Sequence, residues 1–380
     1  MSFWTGEQLA LRESAKAFAN KEIVPHLQEW EDAGEVPRSL HRAAAKHGFL
    51  GLGVPENMGG SGGTFLDALT LTEALAEAGA SSGLLAALFT SGIALPHIIA
   101  SGDVDLVDRF VRPTLAGEMI GALGITEPGG GSDVANITTS AVRDGQHYVV
   151  NGAKTFITSG VRADFVTTAV RTGGSGYAGL SLLVIEKGTP GFEVGRSLSK
   201  MGWHCSDTAE LSFVDCRVPA ANLVGQENSA FAMIAQQFVT ERLALAVHGY
   251  AIAARALALS VDYAKARETF GEPLAARQVV QHTLVEMRRR VEVARTYTRD
   301  VARRHVAGED PIAEALMAKA TAVETCSYVV DKAVQLHGGA GYMHGTEVER
   351  HYRDARILGI GGGATEVLND LTAKLLGYTP

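Results

Sequence analysis

The sequence predicts an α+β protein in three parts: an N-terminal helical domain over residues 1–118, a middle β-barrel or sandwich over 119–224, and a C-terminal four-helix-bundle domain over 225–380. Three observations carry this expectation. Apolar residues recur at helical spacing up to about residue 118. Between Met119 and Val224 the period shortens, and short strand-like runs alternate with glycine-rich turns. From Gly225 the helical runs return and are longer.

In the first part, "EQLALRESAKAFANKEIVPHLQEWE" sets Leu9, Leu11, Ala15, Phe18, Ala19 and Ile23 on a helical stripe. "VPRSLHRAAAKHGF" opens on a proline and a serine and closes on Gly48, as helices do. The glycine-rich "GVPENMGGSGGTF" precedes another helix from about Leu66. In the middle part, the Asn151-Gly152 pair of "QHYVVNGAKTFITSG" reads as a hairpin turn. "DFVTTAV", "LSLLVIE" and "ELSFVDCRV" supply further strands, and closure into a barrel or sandwich limits exposed edges. In the last part, the run from Asn228 to Phe270 has no interior proline and predicts one helix of roughly 60 Å.

The formal net charge of −8 speaks against a general nucleic-acid binder. Cys205, Cys216 and Cys326 form neither a disulfide framework nor a zinc signature, so no metal is expected. The first residues lack a charged leader followed by an apolar stretch, and "SGLLAALFTSGIALPHIIA" is broken by Gly92 and Pro96. A cytoplasmic protein with no membrane insertion is the expectation.

Four stretches carry chemistry. In "GITEPGGGSDV" three glycines, Ser132 and Asp133 offer backbone N–H groups and a hydroxyl to a phosphate, or form a flexible loop. It lacks the spacing and context of a dinucleotide fingerprint. "KTFITSG" sets an aromatic among hydroxyls, suited to a flat ring and equally to an ordinary strand. "ARETFGEPL", followed by Gln278, gathers Arg267, Thr269 and Gln278 near a helix end, where an arginine also suits the helix dipole. In "QLHGGAGYMHG" Gly338 can cap a helix, but four glycines in eight residues favour close approach of a ligand or another backbone.

Taken with "ANKEIVPHLQEWE", "HGFLGLGVPENMGGSGG" and "HYRDARILGIGGGATEV", these stretches resemble the acyl-CoA dehydrogenase family, in order, from about residue 5 to residue 376. The resemblance implies a noncovalent FAD, a homotetramer, and oxidation of an acyl-CoA to its 2,3-enoyl product in fatty or branched-chain acyl metabolism. An electron-transferring flavoprotein is the implied acceptor. Residue by residue, it implies flavin-ring hydrogen bonds from Thr126 and Thr158, a pyrophosphate contact from Ser132, and Phe156 beside the ring. Arg267, Thr269, Phe270 and Gln278 fall on the phosphate and adenosine side. Gln335 and Gly339 match positions that reach a neighbouring subunit's FAD. Ala364 departs from a threonine that contacts FAD in many members.

The implied reaction removes an α-proton while the β-hydrogen leaves as hydride, so it needs a well-placed carboxylate. Many members carry that glutamate in a Tyr-Glu-Gly-Thr run. Here the matching place reads Gly361-Gly362-Gly363-Ala364, and Gly362 stands at the position of the base. In the isovaleryl-CoA and long-chain branches a glutamate before an arginine on the long helix does the work; the match is Glu241-Arg242. Independently, Glu241 shares a helical face with Phe238, Ala244, Leu245 and His248, an expensive place for an unpaired carboxylate. A glutamate paired with another helix's arginine, or partly exposed, reads the same way. Glu366 is the rival base, in what reads as the first turn of the last helix. The glycines are expected to clear space for Glu241 beside the bound acyl group, with Arg242 and Gly362 at the substrate. The alternatives are a carrier-protein-bound acyl thioester, an oxidase, or an inactive flavin-binding homologue.

Overall fold

A computed structural model describes residues 3–379. Helices run from Gly6–Phe18 to Arg112–Leu115, strands from Gly121–Gly124 to Leu223–Val224, and helices again from Ala230–Gln236 to Thr365–Leu375. The first helix starts at a reciprocal capping box, with Thr5 and Gln8 each closing the other's backbone N–H at 3.2 Å. Of its predicted stripe, Ala15, Phe18, Ala19 and Ile23 are buried while Leu9 is exposed. Gln8 and Arg12 take inner positions instead, because Arg12 meets the buried Glu73 at 3.2 Å.

The middle strands form one sheet. With β1 Gly121–Gly124, β2 Ser140–Asp144, β3 His147–Thr158, β4 Phe165–Arg171, β5 Leu180–Glu186, β6 Phe192–Ser197, β7 Thr208–Pro219 and β8 Leu223–Val224, the order is β6-β7-β3-β2-β4-β5-β8, and β1 lies parallel to β4. Alternate residues of β4 and β5 serve two different cores. Val166, Val170, Leu183 and Ile185 pack with Tyr148 and Phe213 inside the sheet. Phe165, Ala169, Leu182 and Val184 point the other way, into the core shared with the helices. Burial on both faces explains why these strands read as continuous apolar runs.

One turn is misplaced by the sequence reading. Asn151-Gly152 is no hairpin: β3 runs straight through it, and the turn from β2 lies at Gly145, φ 58°. Gly152 marks a register shift against β7 instead. A Cβ there would stand 2.6 Å from the Thr139 Cα, so the close backbone approach requires glycine.

The predicted single helix from Asn228 to Phe270 is also corrected. It is two helices, Ala230–Gln236 and Phe238–Ala266, parted at Gln237, whose ψ is −8°. There the Gln237 N–H turns to the Ile234 carbonyl at 3.2 Å, and the Thr240 hydroxyl donates to the Gln237 carbonyl at 3.1 Å. Such local bonds compete with a continuous helix. The second helix, 29 residues long, spans about 43 Å. It packs on Phe65–Glu77, Gln278–Val306 and Ile312–His337. Glu73 joins these parts: its buried carboxylate accepts from Arg12, from Tyr250 Oη at 2.5 Å and from Arg299 Nε at 2.9 Å. Several donors on one carboxylate offset the cost of burying it.

Candidate active site

The break at Gln237 places Glu241 in the first turn of Phe238–Ala266, where the helix dipole favours a carboxylate. Glu241 Oε2 lies 3.1 Å from Arg242 Nη1, and Arg242 itself is buried. On the expected face, the Phe238 side chain falls outside the described residues, and Leu245 lies one turn along from Glu241. Opposite stands the glycine loop. A Cβ on Gly362 would sit 2.3 Å from Leu245 Cδ1 and 3.3 Å from Glu241 Oε1. The volume a side chain at 362 would take is therefore filled from the long helix. Gly362 and Gly363 also hold φ of 63° and 98°, which disfavours any other residue.

Gly362→Ala is accordingly expected to displace Leu245 and Glu241 together. Thermal melts should show a loss of about 1–2 kcal/mol from the left-handed backbone alone. Turnover should fall further than stability, and turnover equal to the parent's would contradict the seating described.

Glu366 is exposed in the first turn of Thr365–Leu375, away from this contact, and Ala364 occupies that helix's cap without a side-chain bond. The sequence reading missed two groups. Lys319 is buried and donates to the carbonyls of Gly361 and Gly363 at 2.6 and 2.7 Å. His97 lines a small cleft with Ile93, Leu123, Gln237, Thr240 and Glu241. Among the described residues both His97 ring nitrogens lack a hydrogen-bond partner, and burial pulls its pKa down to about 4, so the ring is neutral. Neither residue belongs to a motif, and only the fold brings them to Glu241.

The predicted cofactor residues form two groups. Thr126, Ser132, Phe156 and Thr158 lie together at one end of the sheet, where the Thr155 N–H donates to the Thr126 carbonyl at 2.9 Å. The β3–β7 register shifts between Lys154 and Ile157, and Phe156 sits there at φ 58°, 69% exposed. A bulged strand holding an aromatic outward in left-handed geometry offers a flat face at a functional edge. Open space surrounds Gly129 and Gly130 beside the exposed Ser132. This ledge fits a flat ring with a phosphate beyond it.

The second group lies at one end of the helical bundle. Arg267 caps Phe238–Ala266, and Arg277 ties down the turn after it through the Thr269 carbonyl at 2.8 Å. Phe270 is 98% exposed, and Gln278 starts the next helix. Tyr263 stacks on His337 with centroids 4.3 Å apart, which brings the helix end bearing Gln335 and Gly339 alongside. Both of those are exposed. Among the described residues, no hydrogen bond or ion pair joins this group to the sheet ledge.

The chain matches three family profiles in succession: acyl-CoA dehydrogenase, N-terminal domain, over residues 5–118; middle domain, over 122–216; and C-terminal domain, over 228–377. A solved Mycobacterium smegmatis structure assigned to the acyl-CoA dehydrogenases is 60% identical, covers 100% of both chains and superposes with a TM-score of 0.99. The long-chain specific acyl-CoA dehydrogenase of Sus scrofa mitochondria is 37% identical over 374 residues, 98% of this chain and 86% of that one. The mitochondrial isobutyryl-CoA dehydrogenase of Bos taurus is 36% identical over 371 residues, 97% of this chain and 89% of that one. These relatives overturn the cytoplasmic expectation, since both are mitochondrial proteins. Buried free thiols suit any reducing compartment, so cysteine usage could not separate one from another.

Proposed function

This chain belongs to the acyl-CoA dehydrogenase family, and from that premise we propose that Glu241 is the base of an FAD-dependent α,β-dehydrogenation of an acyl-CoA. The protein is an oxidoreductase acting on CH–CH bonds, and FAD is its cofactor. The observation that supports Glu241 is the 3.3 Å between its Oε1 and the place of a Cβ on Gly362. The family's two alternative sources of a base thus lead to one spot in space, and here the long helix supplies it. The exposed Glu366 has no such position.

In this reading Glu241 takes the α-proton, and the neighbouring Arg242 keeps its carboxylate oriented. Ile93 and Leu123 add apolar surface to the lining of the cleft. Thr126 and Thr158 hold the flavin ring by hydrogen bonds, Phe156 packs beside it, and Ser132 meets the pyrophosphate. Arg267, Thr269, Phe270 and Gln278 hold the phosphate and adenosine side, with Gln335 and Gly339 of a neighbouring copy. Bound there, FAD would supply the acceptor for the β-hydrogen, which leaves as hydride. A homotetramer follows from the last two residues, and the exposure of Phe270 and Tyr342, 98% and 81%, suits a surface that another chain covers. The branch is that of isovaleryl- and long-chain-type enzymes, and an electron-transferring flavoprotein takes the electrons onward.

The test is an anaerobic titration of the flavin absorbance with straight, branched and aromatic acyl-CoAs. Bleaching by one class is the expected result and names the substrate. An oxidised spectrum with every acyl-CoA would overturn the reading.

A further inference from the structure

We propose that Lys319 is a positioning residue for the candidate base: it pins the Gly361–Gly363 backbone that forms the seat of the Glu241 carboxylate. This rests on the reading of Glu241 given above. Lys319 projects from Ile312–His337 and is 1% exposed. Burying an ammonium costs several kcal/mol unless strong partners compensate. Among the described residues no carboxylate stands within ion-pair distance of it; its hydrogen bonds go to the carbonyls of Gly361 and Gly363, at 2.6 and 2.7 Å. A core that needed only filling would have a methionine or leucine here.

What the ammonium holds explains its presence. Three consecutive glycines have wide backbone freedom, and ordering each residue costs about 1–2 kcal/mol. Lys319 bonds the residues on either side of Gly362, whose missing side chain makes room for Leu245 Cδ1 and, beside it, Glu241 Oε1. With both flanks fixed, Gly362 cannot swing toward or away from the carboxylate. A displacement of about 1 Å at such a site can cost about a hundredfold in rate. Charge acts in the same direction. The groups facing Lys319 are Arg242 and Glu241; burial and then Arg242 pull its pKa down, Glu241 pulls it up, and the balance lies at about 8. Lys319 is thus mostly charged at neutral pH, and with Arg242 it gives the Glu241 carboxylate two cations as neighbours.

Lys319→Met and Lys319→Gln test this, measured by flavin content, kcat and KM, with Glu241→Gln alongside. Lys319→Met removes donors and charge; Lys319→Gln keeps an amide with two N–H groups. The expected result for Lys319→Met is normal flavin content, KM within about threefold, and kcat lowered by about 10- to 100-fold. Lys319→Gln should recover part of kcat. In both, the loss should fall on kcat rather than on KM, because the loop seats the carboxylate and does not hold the substrate. A flavin-loaded variant with the parent's kcat, or one whose loss falls on KM alone, would overturn the proposal. So would loss of flavin in both variants, since a residue acting through this loop leaves the cofactor ledge intact. If Glu241→Gln turns over like the parent, the fault lies with the base reading rather than with Lys319.

Discussion

Glu241→Gln should keep its flavin and still bind acyl-CoA, yet turn over about 10²- to 10⁴-fold more slowly, the usual contribution of a positioned general base. The substitution preserves shape and polarity, so the amide can still lie beside Arg242 and under Gly362, and no cavity opens. What it removes is the proposed acceptor for the α-proton. The measurement is the rate of anaerobic flavin bleaching after mixing with the substrate that bleaches the parent, together with the dissociation constant from the spectral shift. A variant that binds with the parent's affinity and bleaches at the parent's rate would make Glu241 a structural partner of Arg242. Glu366→Gln, by contrast, should leave the rate unchanged, because that side chain faces solvent.

The second large effect concerns stability. Lys154 is fully buried on β3, and its ammonium donates to Glu127 Oε1 at 2.8 Å and to the Ile125 carbonyl at 3.1 Å. Glu127 also accepts from the Thr138 N–H at 2.6 Å and the Thr139 N–H at 2.9 Å. The pair therefore closes the segment from Ile125 to Thr139 that presents Thr126 and Ser132. Lys154→Met would leave a buried carboxylate without its cation, at a cost of about 3–5 kcal/mol. Thermal melts should show that loss, with weakened flavin retention.

The pH dependence has a definite sign. Burial alone would raise the Glu127 pKa, but the Lys154 charge and the bonds from Lys154, Thr139 and Thr138 outweigh it and bring it down to about 2. A depressed carboxylate pKa stabilises the fold above the ordinary value of 4.5, and that stabilisation is lost as pH falls toward about 2. The parent should lose melting temperature across this window, and Lys154→Met should lose much less. Parallel curves would show that the pair does not stabilise the loop.

The order helical, β, helical was legible because periodicity reports burial, and burial dominates each layer. Local punctuation was less reliable. Asn151-Gly152 has turn chemistry, but the pairing of β3 with β7 overrides it, and the glycine is needed for the approach of Thr139. The break at Gln237 left no proline or glycine in the sequence, because hydroxyl and carbonyl bonds produce it. At the site, Glu241 and Gly362 stood out as a charge on an apolar face and a glycine in an expected acidic position. Their contact spans 121 positions of the chain and is visible only in three dimensions. Lys319 and His97 gave no signal at all, since a lone lysine or histidine in a helix reads as an ordinary surface residue.

The interruption at Gln237 also bears on how such an enzyme can change. In an unbroken helix, one residue added upstream rotates everything after it by about 100° relative to everything before. Here the interruption absorbs that rotation. The segment Ala230–Gln236 can lengthen or shorten while Glu241 keeps its azimuth, because the packing of Phe238–Ala266 sets that azimuth on its own. Length variation before the break is therefore open to drift, whereas a single insertion between Glu241 and Leu245 turns the carboxylate out of the site.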